Sequence, residues 1–317
     1  MVPLPMEEGL IVRVDARFVQ VELADRVVSA TLRGRLFERE KGGDRRPVAV
    51  GDRVRLCLEG EQASVEEVLP RRNALCRTAA GRERQRQVLV SNMDLLCLVF
   101  ALCRPAPYQP LIDRILVSAQ AARIEPVLLF NKTDLDRKGS LEVWSAKYGA
   151  TGYRRIGTSA VTGAGLGDLR ELLRGRICDL TGPSGVGKSS LLNALQPGLG
   201  LKVGEVGRKG VLAGRHTTTH SRLIKTGFDA YVADTPGVRT FDPWDIPPAD
   251  LPHHFPEFRE HLGCCSFADC HHLHEPGCAV LAALTAGRID PGRHESYREI
   301  RAKLVAREEE ERNRPRG

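Results

Sequence analysis

The chain carries two nucleotide-binding motifs in an order that is unusual for GTP-binding domains. A phosphate-loop pattern, G-x-x-x-x-G-K-[ST], occupies residues 182–189. An N-K-x-D pattern, the motif that recognises guanine, lies about fifty residues earlier, at residues 131–134. In ordinary GTP-binding domains the phosphate loop comes first and the guanine motif follows late. Because both motifs are intact, their reversal predicts an α/β P-loop domain whose chain order has been circularly permuted.

The phosphate loop lies between an apolar run at residues 177–180, which fits a buried strand, and a helix that opens at Lys188. Glycines let successive backbone N–H groups point at phosphate oxygens, and the helix N-terminus adds a favourable dipole. Lys188 is then expected to reach the β- and γ-phosphates, and the Ser189 hydroxyl to ligate Mg²⁺. The alternative is a glycine-rich turn without a function, but such a turn does not explain why Lys and Ser occupy the two positions that the motif specifies. The predicted contacts are Gly182, Pro183, Ser184, Gly185, Val186, Gly187, Lys188, Ser189 and Ser190.

The guanine motif consists of Asn131, Lys132, Thr133 and Asp134. It closes an apolar run at residues 126–130, and open α/β sheets bind ligands at the carboxyl ends of their strands. Asp134 can accept hydrogen bonds from the ring N–H and the exocyclic amine of guanine, a donor pair that adenine lacks. Asn131 is expected to hold the loop and the base edge, and the Lys132 stem to cover the base face. The alternative is a solvated turn before a helix at residues 141–147.

A short loop at Ser159 and Ala160 follows the predicted strand at residues 152–156. Its place in the motif order fits the loop that backs the guanine with a backbone amide. The triplet of residues 158–160 carries no such meaning by itself, so this prediction depends on the two stronger motifs.

Two further segments have the form of nucleotide-dependent switches. Asp234 follows an apolar run and begins a D-T-P-G sequence, which predicts that Asp234 holds Mg²⁺ and that the Gly237 N–H senses the γ-phosphate. One of three adjacent threonines, with Thr219 preferred, is expected to complete the Mg²⁺ shell with Ser189 and Asp234. The threonines at residues 217–219 could instead form the edge of a sheet, and only the motif order favours the switch.

The group that orients the attacking water is not evident from the sequence. Many GTPases use a glutamine directly after the switch glycine, but this chain has Val238 there. The remaining candidates are His216, His220, a backbone group, or a group supplied by a partner. We therefore expect slow intrinsic turnover that a partner stimulates, by a factor on the order of 10³ to 10⁵.

Apolar runs predict a six-stranded, doubly wound sheet for this domain, which we place at residues 93–245. The predicted strands are residues 94–101, 126–130, 152–156, 177–180, 222–225 and 230–233. Predicted helices separate most of them, so the permutation removes no part of the domain.

The N-terminal region, residues 1–74, has five short alternating runs, which predict a small five-stranded β-barrel of the oligonucleotide-binding (OB) type. The runs are residues 9–14, 18–23, 27–32, 51–56 and 63–68. Basic residues crowd a loop of the barrel and a predicted linker at residues 75–92; they include Arg33, Arg35, Arg39, Lys41, Arg45, Arg46, Arg71, Arg72, Arg77, Arg82, Arg84 and Arg86. With a net charge of +7 and a pI near 9.0, this favours RNA backbone contact over a merely solvated surface. Only Phe18 and Phe37 could stack on bases there.

A cluster of metal-ligand residue types marks the C-terminal region, residues 246–317. Cys265, Cys270, His272 and Cys278 are expected to form a closed Cys₃His site for one structural zinc ion. Unliganded thiols are the alternative, and a catalytic zinc is disfavoured because four protein ligands leave no open position. Cys264, His271 and His274 are further residues of ligand types in the same segment. Helices are predicted at residues 252–262, 278–287 and 291–312.

Nine cysteines without a recognisable signal peptide predict reduced thiols and a cytoplasmic protein. No apolar run approaches the roughly eighteen residues that a membrane-spanning helix needs, so no membrane partner is expected. The chain shows no dimerisation repeat, which favours a monomer.

In its combination of motifs, the chain resembles the bacterial ribosome small-subunit-dependent GTPase A family. The resemblance rests on the order of barrel, permuted domain and Cys-x₄-Cys-x-His-x₅-Cys module, and on local matches at residues 70–73, 111–114, 214–219 and 275–280. It implies a GTP hydrolase that binds the 30S ribosomal subunit and its rRNA late in assembly. It also implies that the subunit stimulates hydrolysis and that the protein leaves as hydrolysis proceeds. Val238 agrees with the apolar residue that this family carries in place of glutamine.

Two other functions stay open from the sequence. A GTPase directed at another RNA, the 50S subunit or tRNA, would share the same nucleotide domain. A non-enzymatic RNA-binding protein that merely holds GDP would lack subunit-stimulated phosphate release.

The chain order also yields a hypothesis about coupling. The predicted switch at residues 234–237 leads through residues 241–244 directly into the cysteine-rich module. Loss of the γ-phosphate is therefore expected to move that module. In this hypothesis the GTP-bound protein holds the module and the barrel in an arrangement that binds RNA, and the GDP-bound protein loses that arrangement. Equal ribosome affinity with GDP and with a GTP analogue would contradict this.

Overall fold

The computed structural model describes residues 6–15, 18–34, 36, 47–60, 62–78, 86–199, 222–234 and 246–313. Several predicted switch residues lie outside these ranges: His216, Thr219, His220, Gly237 and Val238. Asp234 is described as the last residue of a strand.

The N-terminal strands form a five-stranded barrel. Its strands are β1 (Met6–Val14), β2 (Val19–Glu22), β3 (Val27–Leu32), β4 (Arg53–Glu59) and β5 (Gln62–Val68). Neighbours pair in the order β1-β2-β3-β5-β4, and β4 pairs back to β1, so the sheet closes on itself. Alternate side chains point inward because successive residues of a strand face opposite sides, which buries Ile11, Val21, Leu56 and Val65 completely. The predicted barrel is confirmed.

The region predicted as a basic linker contains a β-hairpin. Strand β6 (Ala74–Thr78) pairs antiparallel with β7 (Arg86–Ser91). Leu75 and Val90 lie opposite each other and are both buried. The segment thus forms a hairpin despite its many basic residues, because its alternating apolar side chains are buried in the core.

A four-residue segment, residues 70–73, joins the barrel to the nucleotide domain. Arg71 grips the barrel, because its Nε and Nη2 donate to the two carboxylate oxygens of the fully buried Asp52, at 2.7 and 2.8 Å. Arg72 reaches the other way and pairs with Asp94 at 2.9 Å. The Asn73 amide donates to two backbone carbonyls of the nucleotide domain. Bidentate arginine–carboxylate pairs fix geometry as well as charge, so these two arginines serve the joint between the domains.

The nucleotide domain has the six strands that its sequence predicts. They are β8 (Leu95–Ala101), β9 (Glu125–Asn131), β10 (Arg154–Thr158), β11 (Ile177–Thr181), β12 (Arg222–Lys225) and β13 (Tyr231–Asp234). Their order in the sheet is β10-β9-β8-β11-β13-β12, with all neighbours parallel except β12 and β13. The helices are α1 (Gln109–Ala121), α2 (Ser140–Lys147), α3 (Leu166–Leu173) and α4 (Lys188–Leu195).

Strand β8 lies at the centre of this sheet, and every one of its residues is buried. Leu96, Leu98 and Phe100 face the core that contains α1, whereas Cys97 and Val99 face the core beneath α3 and α4. A parallel strand that is covered on both faces is apolar throughout, which explains the unbroken apolar sequence of Leu95–Ala101.

The C-terminal region forms a small helical domain. It consists of two 3₁₀ segments, Leu251–His254 and Pro256–His261, followed by α5 (Ala279–Thr285) and α6 (Pro291–Arg312). The sequence predicts one helix where the two short segments stand. Pro256 explains the difference, because a residue that precedes proline is driven away from helical geometry, and Phe255 is extended with φ −107° and ψ 98°.

The barrel sheet continues into the sheet of the nucleotide domain. Arg13 of β1 lies opposite Arg222 of β12, so the two domains meet edge to edge. All nine cysteines are free thiols. Within the described residues, no helix is both long and apolar enough to cross a membrane.

Candidate nucleotide and metal sites

The phosphate loop connects β11 to α4 and depends on glycine at two positions. Gly182 has φ 146°, and a Cβ there would lie 2.0 Å from the carbonyl oxygen of Val99. Gly187 has φ 101°, and its Cβ would lie 2.3 Å from Asn131 Nδ2. Both conformations suit glycine alone, so the loop curls tightly against the neighbouring strands.

Lys188 lies at the first position of α4, where the phosphate-loop pattern places its lysine. Its Nζ donates to the carbonyl oxygens of Gly182 and Pro183, at 2.7 and 2.9 Å. The ammonium group therefore lies inside the curl of the loop. Leu191 and Leu195 are buried beneath α4 and hold the helix on the sheet. The next side chain, Ser189, stands at the helix N-terminus, where backbone N–H groups favour anions.

The guanine motif and the phosphate loop are tied to each other by side-chain hydrogen bonds. Asn131 ends β9, and its buried Nδ2 donates to the Val186 carbonyl at 2.7 Å. Lys132 has left-handed backbone geometry, with φ 62°, and its Nζ donates to the Gly185 carbonyl at 2.8 Å. Thr158 Oγ1 donates to Asn131 Oδ1 at 3.2 Å. The motifs that the sequence separates by about fifty residues therefore form one site.

Replacing Gly187 with alanine is expected to weaken GDP binding at least about tenfold. The new Cβ would collide with the Asn131 amide, and forcing alanine into this backbone region costs about 1–3 kcal/mol. Calorimetric titration with GDP measures the effect. Gly167→Ala is the matched control, because Gly167 is exposed in α3 and a Cβ there meets nothing within 4 Å. A Gly187→Ala dissociation constant within twofold of the wild type would contradict the packing argument.

Asp134 is exposed, and its orientation is fixed by a neighbouring loop. Ser159 Oγ donates to Asp134 Oδ1 at 2.6 Å and accepts from the backbone N–H groups of Val161 and Thr162. Thr133 Oγ1 donates to the Thr158 carbonyl at 3.2 Å. The sequence predicts only a backbone role for Ser159 and Ala160, so the side-chain role of Ser159 is additional.

Two further residues, which the sequence analysis does not predict, stabilise the loop that carries the guanine motif. Asp136 caps α2 by accepting from the N–H groups of Ser140 and Leu141, at 3.0 and 2.8 Å, and these backbone donors lower its pKa. The Arg104 carbonyl accepts from Lys132 Nζ at 2.6 Å. An aspartate four residues before a helix is a local signal that could have been found, whereas the Arg104 contact has no signal.

The predicted magnesium ligands are only partly described. Asp234 ends β13, next to β11, and both strands run in the same direction. Ser189 begins the helix that follows β11. Thr219, Gly237 and His216 lie outside the described residues, so their roles remain predictions.

The four predicted metal ligands come together in the C-terminal domain. Their ligand atoms, from Cys265, Cys270, His272 and Cys278, all lie within 4.8 Å of one another. His272 Nδ1 is 3.4 Å from Cys278 Sγ and 3.6 Å from Cys265 Sγ. Three thiols and one imidazole at these separations fit a tetrahedral structural zinc site. Burial raises the pKa of Cys270 to about 12, so its thiolate would need a cation beside it.

Contacts around the cluster hold its loop in place. The His272 carbonyl lies 2.8 Å from His294 Nε2, and the Ala279 N–H donates to Cys265 Sγ. Glu275 accepts from the N–H groups of residues 271, 273 and 274. Burial alone would raise the pKa of Glu275, but these backbone donors outweigh it and bring the pKa to about 2. Glu275 therefore acts as an ionised brace of the loop.

A buried ionic cluster fastens the C-terminal domain to the nucleotide domain. Arg293 of α6 is 1% exposed and pairs with Asp113 of α1 at 2.7 Å and with Glu257 at 2.6 Å. Tyr148 OH donates to Asp113 Oδ1 at 2.8 Å, and the guanidinium lies 4.6 Å from the centre of the Phe255 ring. Burial would lower the pKa of Arg293, but the two carboxylates outweigh it and raise the pKa well above its ordinary value. The cluster holds one cation between two anions.

Comparisons with known proteins agree with this architecture. The family model described as RsgA GTPase matches residues 68–244. The chain is 41% identical to the small ribosomal subunit biogenesis GTPase RsgA of Gemmatimonas aurantiaca, over 88% of this chain and 91% of that protein. It is also 41% identical to the RsgA of Moorella thermoacetica, over 95% of this chain and 98% of that one.

Two solved structures resemble the whole chain. YjeQ from Thermotoga maritima superposes with a TM-score of 0.79 at 33% identity, covering 95% of this chain and 99% of that one. YloQ, described as a circularly permuted GTPase, gives a TM-score of 0.75 at 28% identity, covering 99% and 98%. The permuted order of motifs is therefore shared with a known structure.

Proposed function

The chain belongs to the RsgA GTPase family, and from this we propose that it hydrolyses GTP in the cytoplasm while assisting late maturation of the small (30S) ribosomal subunit. The observation that carries the proposal is the direct connection of the guanine motif to the phosphate loop, through Asn131 and Lys132. The names of the relatives support the choice of substrate and subunit.

In the proposed site, this chain's residues bind and orient the nucleotide. Lys188, whose ammonium already lies within the phosphate loop, would neutralise phosphate charge, and Ser189 with Thr219 and Asp234 would hold Mg²⁺. The Mg²⁺ ion supplies charge stabilisation for the transferred phosphoryl group. Asp134, oriented by Ser159, would accept hydrogen bonds from guanine and so reject adenine.

We propose that activation of the attacking water depends on a partner. Val238 has no group that could orient a water molecule, and His216 and His220 are the candidates within the chain. We therefore propose that the subunit either supplies this group or positions one of the histidines, and that hydrolysis drives release.

We further propose that Cys265, Cys270, His272 and Cys278 hold one structural zinc ion. The donor set and the mutual distances support it. Because four protein ligands complete the shell, this ion would staple the loop of the C-terminal domain and take no part in GTP hydrolysis.

The barrel is proposed to contact rRNA through backbone phosphates. The net charge of +7 supports this role. Many of the predicted basic contacts, such as Arg35, Arg45 and Arg84, lie outside the described residues. Arg71 and Arg72 are engaged between the domains, and Arg33 pairs with Glu66, so the RNA surface is expected to depend on the other basic residues.

GTP hydrolysis by the purified protein alone, with 30S subunits and with 50S subunits tests the proposal. We expect 30S subunits to raise turnover by a factor on the order of 10³ to 10⁵, the range that a partner can supply. Lys188→Ala is expected to abolish the rise, because one lost phosphate-stabilising group costs about 10²–10³ in rate. A rise with 50S or tRNA only would support a different RNA target. No phosphate release under any condition would support a non-enzymatic protein.

A further inference from the structure

Strands β12 and β13 form a hairpin that lies between the two predicted switch segments. Strand β12 begins at Arg222, three residues after Thr219, and β13 ends at Asp234. The strands are antiparallel, with Arg222 opposite Asp234 and Lys225 opposite Tyr231. Any shift of this hairpin along the sheet would therefore move a predicted magnesium ligand.

One carboxylate of the barrel holds both strands of this hairpin. Glu22 is the last residue of β2, and its Oε1 accepts from Lys225 Nζ at 2.5 Å. Its Oε2 accepts from Tyr231 OH at 2.9 Å. The Glu22 side chain is 17% exposed and the Lys225 side chain 55% exposed, so the carboxylate is shielded from water more than the ammonium group. Since Lys225 and Tyr231 are cross-strand neighbours, Glu22 clamps the hairpin at its turn end.

At this clamp Lys225 and Tyr231 donate hydrogen bonds, and Glu22 accepts both. The hydrogen bond to Glu22 raises the pKa of Lys225, which keeps its ammonium charged. Burial, followed by the contact with Glu22, raises the pKa of Tyr231, which keeps its hydroxyl protonated. The Lys225 ammonium also lies 5.6 Å from the centre of the Tyr231 ring. Lys225 and Tyr231 therefore both remain hydrogen-bond donors at neutral pH.

The barrel contacts the hairpin at its other end as well. Arg13 of β1 pairs with Arg222 of β12, next to the predicted switches. Backbone pairing at one end and the Glu22 carboxylate at the other fix the register of the hairpin, and register determines the position of every residue along a strand. The barrel is therefore attached to the element that connects the switches.

We propose that Glu22, a barrel residue, is a positioning residue for GTP hydrolysis. By holding Lys225 and Tyr231, Glu22 fixes the hairpin that carries Asp234. RNA binding at the barrel would then change the position of Asp234 at the nucleotide site, and the bound nucleotide would in turn change the affinity of the barrel for RNA. Coupling of this kind is reciprocal between the two sites. The inference rests on the proposed function, because it assumes that the barrel binds RNA and that the subunit stimulates hydrolysis.

Kinetics with and without 30S subunits test the positioning role. In Glu22→Ala we expect the 30S-stimulated kcat to fall about tenfold, a loss of coupling within the range common for linked sites. The KM for GTP is expected to stay within twofold of the wild type, because Glu22 is not one of the predicted nucleotide contacts. Lys225→Ala added to Glu22→Ala should cause little further loss, because both changes break the same contact.

Glu7→Ala is the matched control, because Glu7 pairs with Arg26 at 3.1 Å wholly within the barrel. It should leave the stimulated kcat unchanged. A Glu22→Ala variant that keeps wild-type stimulation, or a Glu7→Ala variant that loses as much, would overturn the proposal.

Hydrogen exchange gives a second test that needs no ribosome. With GDP replaced by a non-hydrolysable GTP analogue, exchange in β2, the strand that carries Glu22, is expected to change in the wild type and in Glu7→Ala, but not in Glu22→Ala. An absent change in the wild type, or a change that persists in Glu22→Ala, would overturn the proposal. If 30S subunits fail to stimulate the wild type, the proposed function is contradicted, and the exchange result alone decides the role of Glu22.

Discussion

Replacing Cys278 with serine is expected to strip the C-terminal domain of its proposed zinc ion and to unfold that domain. Cys278 is 4% exposed and belongs to the core that contains Phe258 and Tyr297. A serine hydroxyl is not a thiolate ligand, and zinc binding contributes on the order of 10 kcal/mol in small zinc-finger peptides. Metal analysis should show zinc falling from one per chain towards zero, and circular dichroism should show an earlier thermal transition.

Cys264→Ser provides the matched control for this experiment. Cys264 is the same residue type, directly precedes the ligand Cys265, and is exposed and outside the cluster. This variant should keep one zinc per chain and the wild-type transition. GDP binding by Cys278→Ser should survive, since the phosphate loop and the guanine motif contact each other without the C-terminal domain. A Cys278→Ser protein with full zinc content would exclude Cys278 as a ligand.

Replacing Arg293 with methionine is expected to destabilise the protein by about 3–5 kcal/mol, because it leaves buried carboxylates without their cation. Asp113 and Glu257 are 0% and 7% exposed, so water cannot replace the guanidinium. Urea unfolding monitored by circular dichroism measures the loss. Methionine replaces the aliphatic stem of arginine and carries no charge, so the change removes the charge and the hydrogen bonds of the guanidinium.

The loss in Arg293→Met should shrink as the pH falls from 8 towards 5. Burial raises the pKa of Asp113, and Arg293 opposes this effect in the wild type. Without Arg293 the folded carboxyl binds a proton more readily than the unfolded one, so a lower pH favours the folded state. Arg298→Met is the control, because Arg298 is on the same helix and pairs with Glu295 in an exposed position. Its loss should stay below about 1 kcal/mol; equal losses in both variants would contradict the special role of Arg293.

Local motifs account for what could be predicted from the sequence. The phosphate loop spans eight residues and the metal cluster fourteen, so each motif is readable in one short window. The strand β8 was predictable because a strand buried on both faces is apolar throughout. The permuted order could be predicted from the positions of the two nucleotide-binding motifs alone. The ribosomal subunit could be predicted only from the resemblance to a known family.

Contacts between distant segments account for most of what could not be predicted. Arg293 and Asp113 are 180 residues apart, and Glu22 and Lys225 are 203 apart. Each is an ordinary charged residue in its local context, and no periodicity marks it. The basic charge of Arg71 and Arg72 favours an RNA surface, but the structure uses both residues to join the domains. Charge composition cannot tell a solvated arginine from one that is paired with a buried carboxylate.

The ionic cluster also bears on the expectation that switch movement pulls on the cysteine-rich module. Arg293 fixes that module to α1, whereas the predicted switch begins at the end of β13. A module held at two places can turn about α1, but it cannot separate without exposing Asp113. Nucleotide-dependent movement is therefore expected to be a rotation that keeps the cluster intact.

The edge pairing between barrel and nucleotide domain has a consequence for solubility. In the described structure, β12 is the outermost strand of the six, and Arg13 of β1 lies against it. An uncovered edge strand offers free N–H and C=O groups to any other chain, which is a common route to aggregation. The barrel thus covers this edge of the sheet beside the predicted switches, and a nucleotide domain produced without the barrel is expected to expose an edge strand to its own copies.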